Sequence, residues 1–375
     1  MKKNKKAQNK NTLEKLNLPF LKDYLQIAKL EKLSRTYLSN ITRETVDGYM
    51  RPTLNLHTVN TFRGSCSSPN YQNLPKRSPL HAKLIRRLFI PRDDHYLLEI
   101  DLKANEVRLA CCYTKYQKLI LDTLHCDMHR DMAAECYMLK KSEVPKPVRQ
   151  SGKNSFVFAE FYGDYYGDKK DGSPGVARNL WEDIGINGHK TKDGTCLYEH
   201  LESKGITELG PTEDPPHGTF MRHIKEVEDR FWNVRYKTYN QWKLDLVESY
   251  NKRGYLKMLS GFVVRTSKDG LPLSRNECTN APVQGAAFHC LLWVLVKVQK
   301  WLVEKKMRTR LTGQIHDALT YSVHKDELDD VMNKTFQLLR HDIREEWDWL
   351  IVPLEGEAEL SHTNWSEMEE IEVPS

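Results

Sequence analysis

Tyr96-Leu97-Leu98-Glu99-Ile100-Asp101-Leu102-Lys103-Ala104-Asn105-Glu106-Val107-Arg108 is the stretch whose pattern decides the fold. Its first half is a short apolar run with aromatic and β-branched members, which predicts a buried strand. The run ends on a carboxylate, Asp101, and then turns to a helical pattern carrying Glu106 and Arg108. A carboxylate at the end of a buried strand sits beside low-dielectric packing, where an unpaired charge is costly and a hard cation would relieve it. Alone, such an Asp reads more readily as a turn or helix cap. A second one appears far downstream, in Leu311-Thr312-Gly313-Gln314-Ile315-His316-Asp317-Ala318-Leu319-Thr320-Tyr321-Ser322-Val323. There a His-Asp pair interrupts two strand-like arms, which predicts a hairpin with Asp317 at its tip. Two carboxylates on neighbouring strand ends are what two-metal phosphoryl transfer requires.

The chain has 375 residues, 39% hydrophobic and 29% charged, enough for two or three subdomains. A net charge of +6 leans toward a polyanionic partner. The eight cysteines include no CxxC pair, which predicts reduced thiols and an intracellular protein. No His/Cys cluster has zinc-ligand spacing. No apolar run approaches the roughly 20 residues of a membrane span, and the leader Met1-Lys2-Lys3-Asn4-Lys5-Lys6 lacks the apolar stretch of a signal peptide.

Outward from the two carboxylates, residues 12–45 carry Leu13, Leu16, Leu21, Leu25, Leu30, Leu33 and Leu38 among lysines and arginines, predicting one or two amphipathic basic helices. Leu54 to Thr61 alternates like a strand. Thr61 to Arg77 is small, polar and donor-rich, with Arg63, Asn70, Gln72, Asn73 and Arg77 of the types that grip phosphate and sugar oxygens. Asp127-Met128-His129 precedes a helix to about Leu139. Arg149 and Lys153 share one face of a helix started by Pro147 and ended by Gly163, and two cations on one face suit an anion such as a triphosphate. Asp164 to Gly218 shifts to Gly, Pro, Asp and Lys and predicts a partly ordered insertion anchored by Leu180, Trp181 and Ile184. Phe220 to Tyr250 is helical, with an aromatic stripe that belongs to the core. Gly254 to Val264 predicts a hairpin. Pro282 sits in the first turn of a long apolar helix, where Asn280 and Gln284 share a face. A helix from Lys325 to Ile343, a last strand near Ile351-Val352-Pro353-Leu354 and a solvated acidic tail, Glu367 to Glu372, close the chain.

The ordered set of motifs resembles the polymerase region of the DNA polymerase I group (family A), in its bacteriophage branch. Asp101, Glu106 and Arg108 match the family's first carboxylate motif. Arg149, Lys153, Phe158 and Tyr162-Gly163 match its fingers helix, with one extra residue between Lys153 and Phe158. That residue leaves Phe156 as a second candidate for the aromatic, and a helical bulge would absorb it. His316-Asp317 matches the His-Asp motif, with Ala318 where the family has Glu. Arg63, Asn70, Gln72, Asn73 and Arg77 match the template-primer motif, Asn280, Gln284 and Gly285 the Asn-x-x-x-Gln-Gly motif, and Asp127 and His129 the Asp-x-His motif.

The resemblance implies an α+β right-hand polymerase fold with an antiparallel-sheet palm, helical fingers and a reduced helical thumb. Its expected layout is thumb 1–50, palm 51–115, fingers 116–255 with the insertion at about 164–218, and second palm part 256–375. The implied activity is template-directed addition of dNTPs to a primer 3′-OH on primer-template DNA, without a proofreading domain. It implies two Mg²⁺, with Mn²⁺ able to substitute, on Asp101, Asp317 and the Leu102 carbonyl. It also implies phosphate contacts from Arg149, Lys153 and His129, with Lys153 as general acid to pyrophosphate. Glu106 and Tyr162 would close the space at the sugar 2′ position, and Phe158 would support base and sugar. Arg63, Asn70, Gln72, Asn73, Arg77, Asn280, Gln284 and His316 would contact primer and template. Small size suggests a separately encoded exonuclease or processivity subunit as partner, with no membrane and a location in the cytoplasm of a bacterial host. The competing expectations are a non-catalytic DNA-binding subunit and a single-subunit RNA polymerase.

Overall fold

The computed structural model describes residues 18–75 and 79–374, so the expectations for Leu13, Leu16 and Arg77 lie outside the described residues. The chain forms two compact units, Met1–Lys103 with Leu291–Leu338 and Glu355–Ser375, and Ala104–Cys290 with Leu339–Leu354.

The first unit is built on a five-stranded sheet: β1 His95–Leu102, β2 Arg310–Ile315, β3 Ala318–His324, β4 Gly356–Ser361 and β5 Glu369–Ile371. Their order is β5-β4-β1-β3-β2, every neighbour antiparallel. The predicted strand thus becomes the central one. Leu98 and Ile100 are almost fully buried, as alternate positions on one pleat must be. On the other side Glu99 is also buried, accepting a hydrogen bond from Trp365 Nε1 at 2.9 Å, with the Arg86 guanidinium 4.1 Å above that indole. Leu33, Cys66, Tyr71, Leu74, Ile85, Ile315 and Trp365 pack into one cluster. The N-terminal helices Pro19–Lys32 and Ser39–Glu44 form as expected, but Leu30 and Leu38 are exposed and only Leu21 and Leu33 are buried.

Several expectations about element ends are corrected. Of the 54–61 stretch only Leu54 and Asn55 are in a strand, Thr53–Asn55, which pairs with Ser65–Ser67 inside the polar loop. Ile351–Leu354 is not a strand, because Pro353 has no N–H to give a ladder. The strand is β4, whose Gly-Glu-Ala-Glu alternation exposes each Glu and buries its neighbours. The acidic tail is not simply solvated, since Glu369–Ile371 is the edge strand beside β4, and its carboxylates are the kind of charge that blunts an open edge.

The second unit is mostly helical: α1 Asn105–Thr114, α2 Met128–Cys136, α3 Lys146–Ser151, α4 Phe220–Arg230, α5 Lys237–Arg253 and the first part of α6, Arg275–Glu304. The insertion contains helices Val176–Asn187 and Leu197–Ser203, with Leu180 and Ile184 buried and Trp181 half-buried. Helix α6 starts earlier than expected, so Pro282 and Asn280 lie in its interior. The cause is a reciprocal cap at Ser274, which bonds Glu277 through its N–H (2.9 Å) and hydroxyl (2.8 Å) and accepts the Glu277 N–H (3.3 Å). Helix α6 is also long and apolar enough to cross a membrane by composition, contrary to the sequence expectation. However, 67% of its most apolar window is buried inside the protein, as a core helix would be.

Candidate nucleotide and metal site

In the first unit, Asp101, the penultimate residue of β1, lies opposite Ala318, the first residue of β3. Asp317 precedes Ala318 in the two-residue turn, and its carbonyl accepts the Leu102 N–H at 3.1 Å. That bond sets the two carboxylate-bearing residues side by side at matching strand ends. Both side chains are partly exposed, and Arg63 Nη2 stands 3.6 Å from Asp317 Oδ1. His316 holds φ at +53°, a left-handed conformation that a tight hairpin turn demands. Asn70 and Asn73 are exposed. Gln72 is turned inward, its Nε2 donating to the Gln314 carbonyl at 3.0 Å and to Gln314 Oε1 at 2.9 Å.

Two carboxylates and nearby backbone oxygens are hard donors of the kind Mg²⁺ selects. Among the described residues, no group of three or more His, Cys, Asp or Glu side chains is placed to hold a metal. The donor set therefore fits a cation held by one or two carboxylates and completed by substrate oxygens rather than an all-protein cage.

In the second unit, Arg149, Lys153, His129, Phe158 and Tyr162 gather on one surface. Helix α3 runs on through a π-type segment, Gly152–Val157, into Phe158–Phe161. A π turn holds one residue more than an α turn, so it absorbs the extra residue between Lys153 and Phe158. It also sets the two candidate aromatics apart. Phe156 is fully buried against Phe231, whereas Phe158 is half-exposed, 5.3 Å from the Lys153 ammonium and 5.7 Å from the His129 ring. Gly152 permits the close approach, since a Cβ there would lie 2.7 Å from Ala133 Cβ on α2.

Asp127 caps α2, accepting the Arg130 N–H at 3.1 Å, and its other oxygen accepts Arg149 Nε at 2.7 Å. The charge-assisted bonds from Arg149 and Arg130 hold its carboxyl below the usual range despite burial. His129 shifts the opposite way. Burial, and then the Lys153 and Arg149 cations, push it down to about 4, so its ring is neutral near pH 7. Its Nδ1 is buried without a hydrogen-bond partner. The Tyr162 hydroxyl donates to Glu106 Oε2 on α1, and the Tyr162 carbonyl accepts Asn280 Nδ2 at 2.9 Å. Gly163 follows at φ +85°, close against Asn276. Gln284 lies one turn beyond Asn280 and is half-buried.

Residues that the sequence did not suggest stiffen this surface from beneath. Glu160 is fully buried and accepts Trp232 Nε1 at 2.6 Å, while Glu228 accepts the Tyr166 N–H. Burial raises both carboxyls. The Lys243 ammonium lies 3.4 Å from the Trp232 ring centre, and burial pushes it down to about 8. The partners come from helices far apart in sequence, so no local pattern announces them.

The chain matches the sequence model of DNA polymerase family A over residues 1–168 and 222–367. It is 26% identical over 354 residues to DNA polymerase I of Lactococcus lactis subsp. cremoris, covering 93% of this chain and 35% of that protein. It is 23% identical over 337 residues to the DNA polymerase of Bacillus phage SP01, covering 86% and 32%. The chain thus spans about a third of the length of these relatives. Among solved structures, it resembles the POL domain of Pol1 from M. smegmatis in complex with DNA primer-template and dNTP, with a TM-score of 0.70 at 18% identity, covering 96% of this chain and 57% of that one. At that identity the likeness concerns the fold.

Proposed function

Because the chain belongs to DNA polymerase family A, we propose that it adds deoxynucleotides to a primer 3′-OH as a primer-template directs. The observation that carries this reading is the placement of Asp101 and Asp317 at adjoining strand ends, Asp101 paired with Ala318 and the Leu102 N–H bonded to the Asp317 carbonyl. The first unit's antiparallel sheet would act as palm and the second unit's helices as fingers.

Asp101 and Asp317, with the Leu102 carbonyl, would hold divalent cations. Bound there, a pair of Mg²⁺ ions would lower the pKa of the primer hydroxyl and stabilise the leaving pyrophosphate. Arg63 would exchange its long contact with Asp317 for a backbone phosphate or sugar oxygen. In the second unit, Arg149 and Lys153 would bind the triphosphate, Arg149 leaving Asp127 in part to do so. His129 would enter as a neutral ring and gain a proton as phosphate approaches. Lys153 would pass a proton to pyrophosphate. Phe158 would support base and sugar. Tyr162, held by Glu106, would wall off the sugar 2′ position, which favours deoxynucleotides. Asn280 and Gln284 on one face of α6, with His316, Asn70 and Asn73, would meet primer and template, and Gln72, bonded to Gln314, would support that surface from within.

Asp317→Ala tests the assignment. Primer extension with Mg²⁺ should fall below detection, while primer-template binding, read by fluorescence anisotropy, stays within a few-fold of wild type. Retained extension would overturn the metal-binding role of Asp317.

A further inference from the structure

We infer that the Tyr71 hydroxyl is a positioning group for Asp317, acting through Gln314 and the backbone of the hairpin turn. The inference rests on the reading of Asp317 as a cation-binding carboxylate.

Among the described residues β2 is an edge strand, so its outward-facing backbone groups have no strand partner there. At Gln314 both of these groups go to one phenol. The Tyr71 hydroxyl donates to the Gln314 carbonyl at 2.9 Å and accepts its N–H at 2.7 Å. A phenol can do both, so a single atom does the work of a missing strand. The ring reaches this point because residue 313 has no side chain. A Cβ on Gly313 would lie 1.8 Å from Tyr71 Oη and 2.7 Å from its Cζ. Gly313 also marks a register shift in the β2–β3 ladder. The phenol therefore occupies the place of a residue-313 side chain, and it is buried there.

From Gln314 the constraint passes directly into the turn. Gln72 Nε2 donates to the Gln314 carbonyl and to its Oε1, while Gln314 Nε2 donates to the His316 carbonyl. His316 is thus held at its positive φ from one side, and the Asp317 carbonyl is held by Leu102 from the other. The Tyr71 hydroxyl bonds the Gln314 backbone rather than Asp317 itself. It fixes the strand from which Asp317 is presented. Misplacement by about 1 Å can lower a rate by on the order of 100-fold, so such a device affects turnover before it affects binding.

Tyr71→Phe keeps the ring and removes the hydroxyl. Amide exchange at residues 314–317 should accelerate at least about 10-fold, with the rest of the sheet unchanged. Turnover at saturating dNTP should fall about 10-fold or more. The dNTP KM and primer-template Kd should stay within about twofold, and the Mg²⁺ concentration for half-maximal rate should rise. Unchanged exchange and an unchanged Mg²⁺ dependence, alongside an inactive Asp317→Ala control, would overturn the inference and leave the site assignment standing. An active Asp317→Ala control would overturn the site assignment itself. The contact is tested separately by stability. Gly313→Ala should destabilise the wild type and be tolerated in a Tyr71→Leu background; equal harm in both backgrounds would overturn it. If Tyr71→Phe does not fold, Gln72→Ala should produce the same rise in Mg²⁺ requirement, and its absence would overturn the proposal.

Discussion

His129 offers a prediction with a definite sign. Its ring is pushed from the ordinary 6.5 down to about 4 by burial and by the Lys153 and Arg149 cations. Between those values the unfolded chain binds the proton that the folded chain refuses, so folding stability rises with pH there. Above 6.5 both states are neutral and the group contributes nothing. As pH falls from 6.5 toward 4, stability is progressively lost. At pH 5 the unfolded imidazole is almost fully protonated and the folded one about a tenth so, a penalty of about 2 kcal/mol. Urea melts at pH 7.5 and pH 5.0 on wild type and His129→Gln isolate this group, because every other titration is common to both. The wild type should lose about 2 kcal/mol more than the variant across that range. A bound triphosphate should reverse the shift. Calorimetry of dNTP binding at pH 5.5, in buffers of different ionisation enthalpy, should show uptake of most of one proton by wild type and none by His129→Gln. Parallel stability losses would refute the burial argument, and equal proton uptake would refute the placement of His129 at the phosphates.

Two further perturbations probe the same surface. Gly152→Ala forces a methyl group into Ala133 on α2 and should destabilise the protein by about 1–3 kcal/mol in denaturant melts, with weaker dNTP binding; full stability would contradict the close approach of the two helices. Glu106→Ala removes the carboxylate that accepts the Tyr162 hydroxyl, and on the proposed reading it opens the 2′ space, so the preference for dNTPs over rNTPs in competing extensions should drop on the order of 10-fold. An unchanged preference would remove Glu106 from sugar selection.

The parts of the fold written in local pattern were legible. The apolar run ending at Asp101 is the central strand, and the His316-Asp317 interruption is a hairpin tip. Arg149 and Lys153 do share a surface, and the surplus residue after Lys153 appears as a π segment. Element ends were less legible. The strand β4 was displaced toward an apolar run when its Glu357–Glu359 alternation carried the signal, and the cap Ser274–Glu277 marked the true start of α6. Contacts between distant segments were not legible at all. Nothing local joins Trp365 to Glu99, Trp232 to Glu160, or Tyr71 to Gln314, because each partner looks like an ordinary core or loop residue until the fold brings the two together. For the same reason the bond from Gln72 to Gln314 could not be foreseen, since an amide in a polar loop gives no sign that its partner lies on a strand 242 residues away.

The central claim is tested most directly by primer extension with the purified chain on a labelled primer-template in Mg²⁺, supplying dNTPs or rNTPs. The account predicts templated extension with dNTPs, little or none with rNTPs, and loss of extension when Mg²⁺ is chelated. A folded chain that binds primer-template and extends with neither nucleotide, or that uses rNTPs as readily as dNTPs, would contradict it.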